Sequence, residues 1–261
     1  CSNFMTRSDK KRRPPSFHAP TPSFRHRRSP APSVSKAIVV YAKAPIEGYV
    51  KTRLCPPLTG DEAASLHGSL VMDLLECCQV VKGCDRILAG APTGQHPFFK
   101  AMETRFQVKL WEQSGEDLGA RMAKTFQDGL RSAYQALVIV GTDIPGISPQ
   151  LLTQAVSVLQ NHDVVLGPTL DGGYYLIGLR KPVPELFQHI PWSTSQVCAL
   201  TEQKVKALGL SLARLPTLRD IDTIEDVQAF IQELKRPGST PISQRTKNVF
   251  MELEKRLKAR A

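Results

Sequence analysis

Two apolar periods alternate along this chain. AIVVYA (Ala37 to Ala42) is an unbroken apolar run of strand length, and ALVIVG (Ala136 to Gly141) repeats the pattern more strongly. RILAGA (Arg86 to Ala91), VKLWEQ (Val108 to Gln113), DVVLGP (Asp163 to Pro168), YYLIGL (Tyr174 to Leu179) and SLARLP (Ser211 to Pro216) read as further strands. Between them the apolar positions fall at helical spacing. Thr59-Gly60-Asp61-Glu62 has the T-x-x-E form of a capping box and opens a helix through Leu66, Leu70, Leu74 and Leu75. A second helix runs from Asp117 to about Tyr134, with Leu118, Met122, Phe126 and Leu130 on one face. Ser148-Pro149 sets a capping residue before a proline at the first helical position, ahead of Leu151, Leu152, Val156 and Leu159. Helices over about Ser195 to Leu208 and Asp222 to Leu234 follow. Strands alternating with helices predict an α/β fold, a mainly parallel mixed sheet covered on both faces in three layers. In such folds ligands bind beyond the carboxyl ends of the strands, near the point where strand order reverses.

Composition changes this picture at the ends. Residues 1–36 hold nine Lys/Arg against one acid (+8), with six prolines, and read as a disordered basic Pro/Ser/Arg-rich tail. Arg- and Ser-rich leaders also serve as organelle transit peptides, but prolines interrupt any amphipathic period here, which favours a cytoplasmic protein. Residues 235–261 carry eight Lys/Arg against two acids (+6), so of the net +10 the folded body, residues 37–234, holds −4. An acidic body does not call for nucleic acid as a partner, although basic arms can bind RNA or anionic membranes. In the C-terminal stretch Val249, Phe250, Leu253 and Leu257 sit at helical spacing. They predict an amphipathic helix docked on the fold or on a second subunit, as in a homodimer. No run approaches the roughly 20 apolar residues of a membrane span. The six cysteines show no C-x-x-C spacing and read as reduced thiols.

Candidate chemistry lies in loops that follow strands. KAPIEGYVKTRL (Lys43 to Leu54) gathers Lys43, Lys51 and Arg53 just beyond the first strand, without a Walker A or G-x-G-x-x-G pattern. GTDIPG (Gly141 to Gly146) presents Asp143 at a strand end, either as a cation ligand or as an Asx turn. In GPTLDGGYYLIGL (Gly167 to Leu179), Asp171-Gly172-Gly173 fits a hairpin turn or a loop facing an acceptor, with Tyr174 or Tyr175 as a wall. RDIDTIEDV (Arg219 to Val227) offers Asp220 and Asp222 as further cation ligands, or a plain helix cap at Asp222 or Thr223. QSGEDLGARM (Gln113 to Met122) leaves a strand through Gly115. Its acidic first turn suits hydroxyl recognition or capping better than phosphate. Cations after the first strand would face the same sheet end as Asp143 and neutralise a diphosphate.

Together the GYVKTRL loop, QSGEDLGARM, GTDIPG, GPTLDGGYYLIGL, PWST (Pro191 to Thr194) and DIDTIEDV resemble, in this order, the arsenosugar-biosynthesis-type glycosyltransferases of bacteria. These belong to the GT-A-like nucleotide-diphospho-sugar transferase superfamily. The resemblance spans about Lys36 to Leu234 and implies a Rossmann-like GT-A sandwich. It implies sugar transfer from a nucleotide-diphosphate donor to a small acceptor. Lys43, Lys51, Arg53, Gly115 and Thr142 would bind the nucleotide and its phosphates. Gly172, Gly173, Tyr174 and Trp192 would form the acceptor pocket, with Asp171 as base or acceptor orienter. Asp143 takes the place of the superfamily's Asp-x-Asp motif, with Pro145 where the second acid would be. A divalent cation, Mg²⁺ or Mn²⁺, would therefore recruit Asp222 or Asp220. Two alternatives share the fold: a guanylyltransferase-like nucleotidyl transfer that releases pyrophosphate, and a sugar-nucleotide-binding module without turnover.

Overall fold

In a computed structural model, residues 35–132, 134–236, 238 and 242–260 are described. Of the basic tail read over residues 1–36, residues 1–34 and the targeting reading with them lie outside the described residues, as does part of the linker after residue 235, whereas Lys36 opens the first strand.

Among the described residues seven strands form one mixed sheet in the order β3-β2-β1-β4-β6-β5-β7. They are β1 (Lys36–Lys43), β2 (Asp85–Ala91), β3 (Lys109–Glu112), β4 (Ala136–Gly141), β5 (Val164–Pro168), β6 (Tyr174–Leu179) and β7 (Leu212–Arg214). Only β6 runs antiparallel to its neighbours. The chain steps outward from β1 to β2 and β3, then returns to β4 on the other side of β1. Strand order therefore reverses at the β1–β4 pair. The reversed sense of β6 brings the β5–β6 turn to the same edge as the loops that leave β1, β4 and β7.

Alternation along the strands separates two cores. One face packs Ile38, Val40, Leu88, Val138 and Val140 against α1 (Gly60–Val80), α2 (Pro97–Phe106) and α4 (Pro149–Val158). The other packs Val39, Ile87, Leu137 and Ile139 against α3 (Leu118–Ser132) and α5 (Val197–Ala207), through Met122, Phe126 and Val205. The Thr59–Glu62 capping box forms at the start of α1, and Ser148 caps α4. At α6 (Ile224–Leu234) the cap is Thr223 with Asp226, so the helix starts two residues after Asp222, which stays in the loop. The helix α2 was not read from the sequence. Pro97 stands at its start and the His96 ring accepts from Phe98 N, but its mixed run FFKAMETRF shows only Phe99, Met102 and Phe106 buried.

A third cluster matters most for function. Leu54 and Leu58 from the loop after β1, and Ile221 from the loop before α6, pack with Leu66 and Leu70 of α1 and Val227 and Phe230 of α6. The C-terminal helix α7 (Gln244–Arg260) closes it with Phe250 and Leu253, and the Phe250 ring meets Phe230 at 5.0 Å. The apolar stripe of α7 therefore lies against the fold. Among the described residues no helix is long and apolar enough to cross a membrane. Phe250 is fully buried, so Phe250→Ala should lower unfolding free energy by about 3–5 kcal/mol in urea titrations. A loss under about 1 kcal/mol would mean that α7 is not docked in solution.

Candidate functional site

The loops at the carboxyl edge enclose a cleft of about 460 Å³. Lys43, Lys51 and Arg53 line it from the β1 side, and Asp143 from β4. Asp171, Gly173 and Tyr174 enter from the β5–β6 turn, Trp192 and Thr194 from the segment before α5, and Asp220 and Asp222 from the segment before α6.

Lys51 joins three of these loops. Its side chain is 2% exposed, and its ammonium pairs with Asp143 Oδ1 and donates to the Ile221 carbonyl. Asp222 Oδ1 stands 3.8 Å away, and Arg53 Nη1 reaches Asp222 Oδ2 at 3.3 Å. The backbone closes the same triangle, because Ile221 N donates to the Asp143 carbonyl at 2.9 Å. Position in the cleft pushes the Asp143 carboxyl up. The nearby charges, Lys51 foremost and then His67 and Lys43, outweigh that and hold it below its ordinary value.

The opposite side of the cleft is acidic and aromatic. In the β5–β6 turn Thr169 Oγ1 and Gly173 N both donate to Asp171 Oδ1, which ties the side chain into the turn, yet the carboxyl still lines the cleft. Gly172 has φ +90°, and a Cβ there would lie 2.1 Å from the Ser195 carbonyl oxygen. Only glycine lets the turn press against the start of α5. Trp192 packs edge-on to Tyr174 at 6.4 Å and lies over Gly119, where a Cβ would meet its indole ring at 2.5 Å. Burial, with Asp171 and then Asp222 and Asp226 adding repulsion, raises Asp220 from 3.8 to about 6.

Nine of the sequence-predicted site residues meet here: Lys43, Lys51, Arg53, Asp143, Asp171, Gly173, Tyr174, Trp192 and Asp222. Gly115, Thr142 and Gly172 are not in the lining. Thr142 is buried, and the Gly115 carbonyl accepts from Arg121 Nε at 3.0 Å. The acids of QSGEDLGARM turn out to include a cap, since Asp117 Oδ1 accepts from Ala120 N at 2.7 Å. Sequence reasoning missed Tyr49 and Leu118, exposed apolar residues on the rim. It also missed His67, buried in α1, whose Nε2 faces the Lys43 carbonyl at 3.0 Å and must carry the proton. Burial holds the His67 imidazole below its ordinary value. A histidine among Ala63, Leu66 and Leu70 on the helix stripe was the available signal. For Asp220 the sequence suggests only a cation ligand, as an alternative to Asp222.

As arranged, these residues do not fit a resident divalent ion. Among the described residues no three His, Cys, Asp or Glu gather to hold one, and an ammonium already bridges Asp143 and Asp222.

A carboxyl whose folded pKa exceeds its unfolded one holds its proton more tightly when folded. Stability is then lost as pH rises from about 4 to about 6 and stays lost above that. Asp220→Asn should therefore gain about 1–2 kcal/mol more stability over wild type at pH 8 than at pH 4, after discounting for partial exposure. Equal gains at both pH values in urea titrations would contradict the raised pKa.

Residues 74–194 match a family described as an uncharacterized protein conserved in bacteria, DUF2064. No curated protein matches the chain. The crystal structure of a provisionally named nucleotide-diphospho-sugar transferase from Desulfovibrio desulfuricans G20 superposes with a TM-score of 0.78 at 31% identity, covering 87% of this chain and 98% of that one. A cytidylyltransferase from Leptospira borgpetersenii superposes with a TM-score of 0.47 at 14% identity, over 85% of this chain and 95% of that one, too distant to inform the reaction. With nearly a third of its aligned residues shared over almost the whole of the Desulfovibrio protein, and the same sheet beneath them, this chain belongs to the GT-A-like nucleotide-diphospho-sugar transferase superfamily.

Proposed function

We propose that the cleft transfers a sugar from a nucleotide-diphosphate donor to a small acceptor. The observation that carries this reading is the meeting of the β1-loop cations with carboxylates from three other loops in one cleft at the strand-order reversal. Charge within it is divided. Lys51 and Arg53 already meet Asp143 and Asp222. The Arg53 side chain remains 69% exposed, and with exposed Lys43 it offers N–H donors to an incoming diphosphate. Asp171 and Asp220 lie at the aromatic end, where the acceptor would sit against the wall that Tyr174 and Trp192 form.

In the transfer the acceptor oxygen bonds to the anomeric carbon as that carbon's bond to the diphosphate oxygen breaks. The leaving diphosphate keeps the electron pair, and the cations stabilise the charge it gains. The acceptor proton passes to a carboxylate. Asp220, with a pKa near 6, suits that task close to neutral pH, while Asp171, fixed by its turn, orients the hydroxyl. The arsenosugar-type glycosyltransferases that the motif set resembles fit this assignment.

A nucleotide sugar at 100 times its Kd should stabilise the protein by about 2.7 kcal/mol in thermal-shift assays, and turnover should release the nucleoside diphosphate. Arg53→Ala should weaken donor binding about tenfold, and Asp220→Asn should lower kcat by about a hundredfold or more. Stabilisation by a nucleoside triphosphate alone, with release of pyrophosphate, would instead make the protein a nucleotidyltransferase. Donor binding without turnover, unchanged in Asp171→Ala, would make it a binding module.

A further inference from the structure

Three oxygens from two separate loops surround one ammonium. Lys51 Nζ pairs with Asp143 Oδ1 and donates to the Ile221 carbonyl, with Asp222 Oδ1 at 3.8 Å. That is an all-oxygen set of the kind hard divalent ions take, here filled by the chain's own charge. Lys51 is almost wholly removed from solvent, and its backbone is left-handed with φ 51°, which a lysine adopts only where its surroundings hold it there. The next turn does so: Leu54 N donates to the Lys51 carbonyl at 2.9 Å, and Leu54 is fully buried in the third core cluster. An ion entering between Asp143 and Asp222 would have to displace the ammonium or sit beside a like charge at contact range.

We propose that Lys51 is the resident cation of the Asp143–Asp222 pair, so that the free protein takes up no divalent ion there and a metal enters only in exchange for the ammonium. The inference concerns the same cleft as the proposed transfer but does not require the donor to be a nucleotide sugar. Removing the ammonium should unmask a metal site.

Calorimetric titration of the full chain with Mn²⁺ alone tests this. Wild type and Asp143→Asn should give the same isotherm. Lys51→Met should bind Mn²⁺ at least about tenfold more tightly than wild type, and Lys51→Met/Asp143→Asn should lose that gain. An Asp143-dependent Mn²⁺ site in the wild type, or no gain in a folded Lys51→Met protein, would overturn the proposal. Should Lys51→Met fail to fold, the comparison of wild type with Asp143→Asn still decides. With no nucleotide present, a negative result leaves the transferase reading standing, and failure of donor binding leaves this one standing.

Discussion

A single ammonium, almost out of water, holds the functional edge of this protein together. Burying a lysine charge costs several kcal/mol unless counter-charges and acceptors replace its hydration. Lys51 finds them in Asp143, Asp222 and the Ile221 carbonyl, each from a loop far away in sequence. The loops of Asp143 and Asp222 have no regular structure there, and the β1 loop has only a single 3-10 turn at Thr52–Leu54. The β1 loop is anchored through Leu54, and the segment before α6 through Ile221, both in the cluster that α7 completes. The helix at the C-terminal end thus bears on the cleft indirectly, by packing the floor on which both loops stand.

The same arrangement sorts charge along the cleft. Asp143 is held below its ordinary value by Lys51 and its neighbours, and Asp222 pairs with Lys51 and Arg53, whereas burial, with repulsion from Asp171, Asp222 and Asp226, lifts Asp220 to about 6. One acid is held below its ordinary value and another well above it in one site. That separation is how a fold supplies both a fixed anion and a proton acceptor near neutral pH. It also has a cost in stability, borne at the aromatic end where the acceptor would bind.

Much of this was legible in the sequence because the relevant signals are local. Unbroken apolar runs marked the strands, and the Thr59 box and Ser148-Pro149 marked helix starts that the structure reproduces. Loops that follow strands of a parallel sheet must share an edge, so Lys51, Asp143 and Asp171 could be placed together without coordinates. What stayed hidden depends on long-range contact. The helix α2 has too few buried positions to show a period. His67 is polar on an apolar stripe, and only the approach of the Lys43 carbonyl explains it. The pairing of Lys51 with carboxylates rather than with open solvent needed three loops in register. Gly115 and Thr142, which their motifs suggest as ligand contacts, lie outside the cleft lining: the Gly115 carbonyl accepts from Arg121 Nε and Thr142 is buried.

The central claim is that the β1-loop cations receive a diphosphate at this edge. A crystal structure of the protein with a bound nucleoside diphosphate tests it most directly. The account predicts phosphate oxygens within hydrogen-bond reach of Arg53 and Lys43, with the sugar-facing end toward Asp171 and Asp220. Phosphates seated away from both cations, or a nucleotide at the opposite end of the strands, would contradict it.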